Sequence, residues 1–374
     1  MRVLLVTANF RPSVGGIERF VEILAHGLAE RGHEVTVATC RNRGGARVEE
    51  DGAVRIVRIP ASDLLRRRLG VPYPIPAPRA AVRTLRGLVR RADVVHAQDA
   101  LYLTTVAALA LARREGVPSV LTQHVAFVPQ GNAALDLVQR AAIRTIGRSA
   151  RFANVVATFN PSVAEWARRT WQLSDVRLLP AGVPPPPSPP DRDAVRHELG
   201  LPDDAFLVLF AGRDVPKKRL DVFLAASDPA YELVAVTDRP DAGSSLARLV
   251  PFMSSERFAR LLAAADAFVL PSEGEGFPLA LQEALIAGVP CVVTRGPGYD
   301  RFLSADDAIF VPPEAGAIRE ALLRLVSDPA YRLEIAGRAR AVGERSLGLE
   351  AWLRAYVRLY EELRARTPSE ATMA

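Results

Sequence analysis

Short apolar runs alternate with longer stretches of helical spacing along the whole chain, and this alternation restricts the fold more than any other feature. An apolar strand over residues 2–8 leads into the loop Asn9-Phe10-Arg11-Pro12-Ser13-Val14-Gly15-Gly16. A helix from about Ile17 to Arg31 follows, with Phe20, Ile23, Leu24 and Leu28 at helical spacing. Gly32 ends it, and residues 34–39 are the next strand. Strands at 54–59, 93–97, 119–122 and 154–158 continue the pattern, with helices near 101–115, 133–151 and 161–170. Pro180, Pro184 to Pro187, Pro189 and Pro190 then interrupt it as a stiff connector that cannot form regular ladders. Beyond them the alternation restarts, with strands at 206–210, 232–237, 267–270 and 308–311 and helices from Leu220 and over 256–265. Such a chain is α/β, with parallel sheets covered on both faces. Its 374 residues exceed one ordinary core, so two domains are expected, over 1–180 and 181–348. A last helix, 349–366, carries Leu349, Trp352, Leu353, Tyr356, Val357, Tyr360 and Leu363 on one stripe, and residues 367–374 read as a disordered tail.

Composition excludes several classes. No stretch approaches a membrane span, and the first apolar run is too short for a signal peptide. Cys40 and Cys291 sit in strand-like runs and read as free buried thiols of a cytoplasmic protein. From Arg55 to Arg169 there are 18 arginines, no lysines and 6 acidic residues, a surplus of +12 in a chain whose net charge is +6. That surplus reads either as a solvated surface or as attraction to an anionic partner, such as the inner membrane face or a phosphorylated acceptor. Nucleic acid is not expected, because aromatics do not interleave with the arginines. Only two of the 48 basic residues are lysines, and they are adjacent, Lys217 and Lys218.

In sheets of this kind, ligands bind beyond the carboxyl ends of the strands. Five unusual loops fall at such ends: Gly15-Gly16, His96, His124, Arg213 to Lys218, and Glu275. Their convergence suggests a cleft between facing domains. The glycine pair is not the dinucleotide fingerprint, since the run Gly15-Gly16-Ile17-Glu18-Arg19 lacks its third glycine. A guanidinium and an ammonium in one loop, Arg213 and Lys218, suit a diphosphate. The stretch LPSEGEGFPLALQEALIAGVPCVVT, residues 270–294, reads as strand end, loop, helix, turn and strand. Its glutamates Glu275 and Glu283 suit sugar hydroxyls, Glu283 those of a ribose and Glu275 those of a second sugar. Taken alone, Glu283 reads equally as an exposed helix residue. His96 and His124 read either as strand-end packing or as site residues.

These residues carry a resemblance. The chain resembles the retaining nucleotide-sugar glycosyltransferases of the GT-B fold, family 4, over most of its length. The turn Gly15 to Arg19, Arg31-Gly32-His33-Glu34-Val35, Asp93-Val94-Val95-His96-Ala97, Pro180-Ala181-Gly182-Val183, Gly212-Arg213 with Lys218, and Pro271 to Ala284 with its E-x7-E spacing are similar to that family's motifs. The resemblance implies two facing Rossmann-like domains, with the last helix crossing back to the first. It implies that Arg213 and Lys218 bind the donor diphosphate and stabilise the departing nucleotide. Glu283 would bind the ribose, and Glu275 with Gly276 and Phe277 the donor sugar. Gly15 and Gly16 would meet the diphosphate, Phe252 and Met253 would line the base, and Pro278, Leu279 and Ala280 belong to the donor loop. His124 would stand near the reacting centre. The resemblance further implies no metal or cofactor, and transfer of a hexose, from a UDP-sugar first and GDP-mannose next, to a glycan, lipid-linked or natural-product hydroxyl.

Three departures from the family pattern matter. Pro278 replaces a glycine and removes one N–H, at what reads as the first helical position. Arg219 replaces a glycine after the lysine, either adding charge at the phosphate site or pointing to solvent. Asp300 stands where glutamate is common. A glycosidase would also use two carboxylates but leaves the lysine pair and the glycine turn unexplained. A nucleotide-sugar epimerase or hydrolase of the same fold, and a non-catalytic nucleotide-sugar-binding protein, are the alternatives.

Overall fold

The structure is a computed structural model that describes residues 1–41, 46–62, 74–127, 133–180, 182–185, 192–198, 200, 204–273, 277–296 and 302–366. Asp300 and the expected tail over 367–374 lie outside the described residues. The chain divides into two compact units, Met1–Leu179 with Trp352–Ala374, and Pro180–Ala351.

The first unit is built on an eight-stranded sheet of order β10-β9-β8-β7-β1-β2-β4-β3. Its strands are β1 (Arg2–Val6), β2 (Glu34–Cys40), β3 (Val48–Asp51), β4 (Val54–Ile59), β7 (Val94–Gln98), β8 (Ser119–Thr122), β9 (Val155–Thr158) and β10 (Val176–Leu178). All pairs are parallel except β3 with β4. A separate antiparallel pair joins β5 (Ala61–Ser62) to β6 (Ile75–Pro76). The central strands β1, β7, β8 and β9 are buried almost throughout, as expected for a sheet covered on both faces. The short strands β3 and β10 escape a reading by periodicity because few of their residues are buried. The proline-broken stretch 62–92 also holds a helix, Pro78–Val89. Pro78 takes its first position, where the missing N–H costs nothing, and Ala81, Leu85 and Val89 are buried.

The last helix, Leu349–Arg366, joins the first unit from Trp352 onward and buries Trp352, Leu353, Tyr356, Leu359, Tyr360 and Leu363. Leu359, rather than Val357, completes the buried stripe. It lies close to the helix Gly16–Glu30: a Cβ on Gly27 would come within 2.5 Å of Leu353 Cδ1.

The second unit has a wholly parallel six-stranded sheet of order β13-β12-β11-β14-β15-β16. These are β11 (Leu207–Ala211), β12 (Glu232–Thr237), β13 (Arg248–Pro251), β14 (Ala267–Leu270), β15 (Cys291–Thr294) and β16 (Ile309–Val311). Helix Leu279–Ile286 rises from the loop after β14 and packs on helix Pro329–Ser346 at Gly343, whose added Cβ would fall 2.6 Å from the Ile286 Cα. The connector does form one ladder contact: Val183 bridges Gly348 in parallel, because its N–H reaches the Leu347 carbonyl at 3.2 Å. Cys40 and Cys291 are free and buried. No described helix is long and apolar enough to cross a membrane.

Candidate active site

Sheet order places the chemistry within each unit. In the second unit, the chain runs outward from β11 to β12 and β13, then returns to lay β14 on the other side of β11. The loops after β11 and β14 therefore diverge at a topological switch point, where open α/β sheets bind ligands. Arg213 and Lys218 lie in the first of these loops and residues 271–278 in the second.

The β11 loop is shaped by Gly212. A Cβ there would press on the Phe210 ring at 3.1 Å and on Lys218 Cδ at 3.3 Å, so the Lys218 stem lies over this glycine. Arg213 is exposed and, among the described residues, forms no side-chain hydrogen bond or ion pair. Lys217 and Lys218 share the short turn Pro216–Lys218 and are half-buried. The Glu273 N–H donates to the Lys217 carbonyl at 2.8 Å, tying this loop to the one after β14. Arg219 then takes the left-handed region, φ 53° and ψ 44°, which favours glycine. Its guanidinium pairs with Glu273 at 3.1 Å and Asp221 at 3.4 Å. Its guanidinium thus bridges to a carboxylate of the β14 loop and to one on the helix that follows it.

The β14 loop is fixed at its described ends. The Ser272 carbonyl accepts from Thr294 Oγ1 at the end of β15. Glu275 and Gly276 lie outside the described residues. Phe277 is buried and stacks on Phe302, with ring centroids 4.5 Å apart. Its carbonyl accepts from Gln282 Nε2 at 2.7 Å. Pro278 is the N-cap of helix Leu279–Ile286, not its first residue, because its ψ of 138° is extended. Its carbonyl accepts from the N–H groups of Leu281 and Gln282 at 3.1 Å each. Leu279, Ala280 and Glu283 are half-buried on that helix, and the first turn leaves N–H groups without intrahelical partners. Phe252 and Met253, also half-buried, follow directly on the edge strand β13, at the carboxyl end of the same parallel sheet.

In the first unit the switch point lies between β1 and β7. Gly15 is the N-cap of helix Gly16–Glu30, and a Cβ on it would stand 2.3 Å from Glu18 Oε2. A Cβ on Gly16 would meet nothing within 4 Å. Glu18 thus folds back over the turn, a carboxylate at a helix N-terminus.

His124 is 7% exposed, and its Nε2 lies 2.9 Å from Gln98 Oε1. This hydrogen bond holds the imidazole ring against the Gln98 amide. Phe20 meets the ring edge-on at 4.7 Å. Burial holds His124 down to about 3, so it acts as a neutral hydrogen-bonding group. His96 is fully buried and likewise held to about 3 by burial. Its Nδ1 lies 2.7 Å from Tyr360 Oη and its Nε2 2.7 Å from Thr122 Oγ1, which lies 3.1 Å from Tyr356 Oη. His96 therefore fastens the last helix to β8; it is a packing residue, but in the middle of β7 rather than at the strand end or in a loop beyond it as expected, because the strand continues to Gln98.

Asp99 and Gln123 were not singled out by the sequence. Asp99 is buried at φ 48°, accepts from Gln123 Nε2 at 2.6 Å and from the His124 N–H, and is pushed up to about 7 by burial, with Glu18 adding to the rise. The available signal was positional: Asp99 directly follows β7, which ends at Gln98, and Gln123-His124 directly follow β8. Among the described residues, no group of three or more His, Cys, Asp or Glu is placed to hold a metal ion.

Residues 14–185 match Glycosyltransferase Family 4, and residues 247–342 match Glycosyl transferases group 1. The chain is 30% identical to the D-inositol 3-phosphate glycosyltransferase of Xylanimonas cellulosilytica, over 95% of its own length and 93% of that protein's. The chain belongs to glycosyltransferase family 4. This glycosyltransferase is also 32% identical, over 80% of each chain, to a GDP-mannose-dependent alpha-mannosyltransferase of Mycolicibacterium smegmatis. Its fold matches sucrose-phosphate synthase from Thermosynechococcus elongatus with a TM-score of 0.75, over 98% of this chain and 99% of that one, at 21% identity. The family 4 enzyme has the GT-B class of fold, with two Rossmann-like parallel-sheet units, and transfers sugar from a nucleotide-sugar donor to an acceptor.

Proposed function

We propose that this glycosyltransferase moves a hexose from a nucleoside-diphosphate sugar to an acceptor hydroxyl with retained anomeric configuration. The observation that carries the reading is the β11 loop, where Arg213 stands exposed beside Lys218 at a switch point. Two cations there offset the charge of a diphosphate, and most of all the charge that grows on it as the sugar leaves. That role requires no metal ion. Glu283 takes the ribose, and Phe252 and Met253 the base. Glu275, with Gly276, Phe277 and the first turn from Pro278 to Ala280, takes the sugar. In the transfer, the acceptor oxygen bonds to the anomeric carbon on the face from which the phosphate departs. The carbon–oxygen bond to phosphate breaks, and the acceptor proton passes to a phosphate oxygen. His124, neutral at working pH, hydrogen-bonds near the reacting carbon.

Relatives weigh on the donor. The mannosyltransferase at 32% identity is named for GDP-mannose, so GDP-mannose moves ahead of the UDP-sugars favoured from the sequence. The arginine-rich first unit favours a phosphorylated or lipid-borne acceptor. Thermal shifts against GDP-mannose, UDP-glucose and dTDP-glucose test the donor. A ligand at 100 times its dissociation constant adds about 2.7 kcal/mol. A rise with GDP-mannose alone is the expected result, and no rise with any nucleotide sugar removes the reading. Proton NMR of the product then tests retention through the anomeric coupling.

A further inference from the structure

The outer face of helix Ala133–Thr145 combines features that a water-facing surface does not need. Leu137 is 69% exposed and Val138 65%, adjacent on the same face, with the exposed Ala134 and Ala141 one turn to either side. The helix is held to the unit from its other side, where Ile143 is buried. Ile146 and Phe152, in the turn that follows, are each 36% exposed. Four of the exposed large apolar side chains of the first unit thus fall within one stretch of twenty residues. In the second unit, Leu333 is exposed to 72% but stands on the helix Pro329–Ser346 between Arg332 and Glu334, a scattered apolar residue of the ordinary kind.

Charge distinguishes the patch further. Arg140, Arg144 and Arg148 are exposed and recur every four residues beside the apolar stripe, and Asp136 is the one acidic residue from Ala133 to Phe152. The Arg140 guanidinium lies over the Phe127 ring at 3.9 Å, and Arg113 over Phe152 at 5.5 Å. Arg140 and Arg113 thus each lay a guanidinium on an aromatic ring, and Arg144 and Arg148 stand exposed beside the stripe. An apolar stripe bordered by arginines matches the boundary between lipid headgroups and acyl chains, where each basic residue gains from an anionic surface. A protein partner of matching acidity is the alternative that the experiment separates, and the surplus of 18 arginines over 6 acidic residues from Arg55 to Arg169 favours an anionic surface.

We propose that helix Ala133–Thr145 seats the first unit on an anionic lipid bilayer, with Leu137 and Val138 entering the headgroup region and Arg140, Arg144 and Arg148 on lipid phosphates. The proposal deepens the reading of a lipid-borne acceptor, because a seated enzyme meets such an acceptor by diffusion in two dimensions. The experiment is flotation of the full chain with vesicles of phosphatidylcholine, with and without phosphatidylglycerol. Wild type floats with the anionic vesicles, stays down with phosphatidylcholine alone, and is released by high salt. Leu137→Ser/Val138→Ser and Arg140→Gln/Arg144→Gln/Arg148→Gln each lower the bound fraction at least tenfold, while donor-induced thermal shifts remain at wild-type size. Loss of the donor shift in wild type would count against the transferase reading instead, so the two failures are distinguishable. Flotation unchanged in both variants places the contact elsewhere and overturns the proposal. So does loss in the arginine variant alone, which is a charge-only contact, or self-association in sedimentation that Leu137→Ser/Val138→Ser abolishes, which makes the face an interface between copies.

Discussion

The two switch points of this enzyme are built in opposite ways. In the second unit the loop after β11 holds Arg213, Lys217, Lys218 and Arg219 at or near the surface, and Arg219 pairs with Glu273 and Asp221. In the first unit the groups after β7 and β8 are buried, and burial works against their charge: His124 is neutral, and Asp99 gives up its proton only around pH 7. A donor arrives with fixed negative charge, and cations must meet it. The buried network can offer only hydrogen bonds, which suits hydroxyls. The same sheet geometry thus supports an ionic end and a neutral end, and the difference lies in how much water each loop keeps.

The sharpest way to break this comparison is Lys218→Ala. If the β11 loop neutralises the leaving diphosphate, kcat/KM with the nucleotide sugar falls at least about 100-fold, roughly 3 kcal/mol, with the melting temperature unchanged. Near-normal turnover would leave the ionic end without its function.

Next in size are two glycines that hold helices against each unit. Gly343→Ala drives a Cβ into the Ile286 backbone and should cost about 2 kcal/mol, because a backbone cannot turn aside. Gly27→Ala meets the flexible end of Leu353 and should cost about half as much. Urea midpoints of the two variants check the order, and a reversed order would show the last helix to be the more rigid contact.

Titration separates the two ends more finely. A carboxyl raised to about 7 from an ordinary 3.8 keeps its proton in the folded chain where the unfolded chain has lost it. Its stabilising effect is complete below the ordinary value and is lost as pH rises through about 7. His96 and His124, held to about 3, act in the other direction: their contribution is present above 6.5 and is lost as pH falls toward 3. Asp99→Asn cannot ionise. Its melting temperature relative to wild type should therefore climb between pH 5 and pH 8, by about 3–6 °C. A constant offset across that range would mean that Asp99 is ionised throughout.

The smallest expected effect is that of Arg219→Gly. Relief of the left-handed backbone, about 1 kcal/mol, is offset by loss of partly exposed ion pairs worth up to about 1 kcal/mol. Stability and donor affinity should both stay within twofold in calorimetric titration. A tenfold loss of affinity would instead put its guanidinium on the donor.

Much of this was legible beforehand. Strands β1, β7, β11 and β14 are short apolar runs between helices, and burial on both faces leaves no other reading for them. The strands β3, β10 and β13 were not legible, because edge strands bury few residues and lose the periodic signal. Pro278 shows the same limit at one residue. Its fixed φ suits both the N-cap and the first helical position, and only ψ, set by where the chain leaves Phe277, separates them.

The sequence by itself determined the α/β class, the two units, the family, and the loop carrying Arg213 and Lys218, because periodicity and local motifs are properties of neighbouring residues. Tertiary structure alone decided which polar groups keep their charge. His96 and His124 owe their states to burial among Phe20, Tyr356 and Tyr360, residues brought from opposite ends of the chain, and Asp99 to burial beside Gln123 and His124. Desolvation depends on everything packed around a group, and no stretch of sequence contains that.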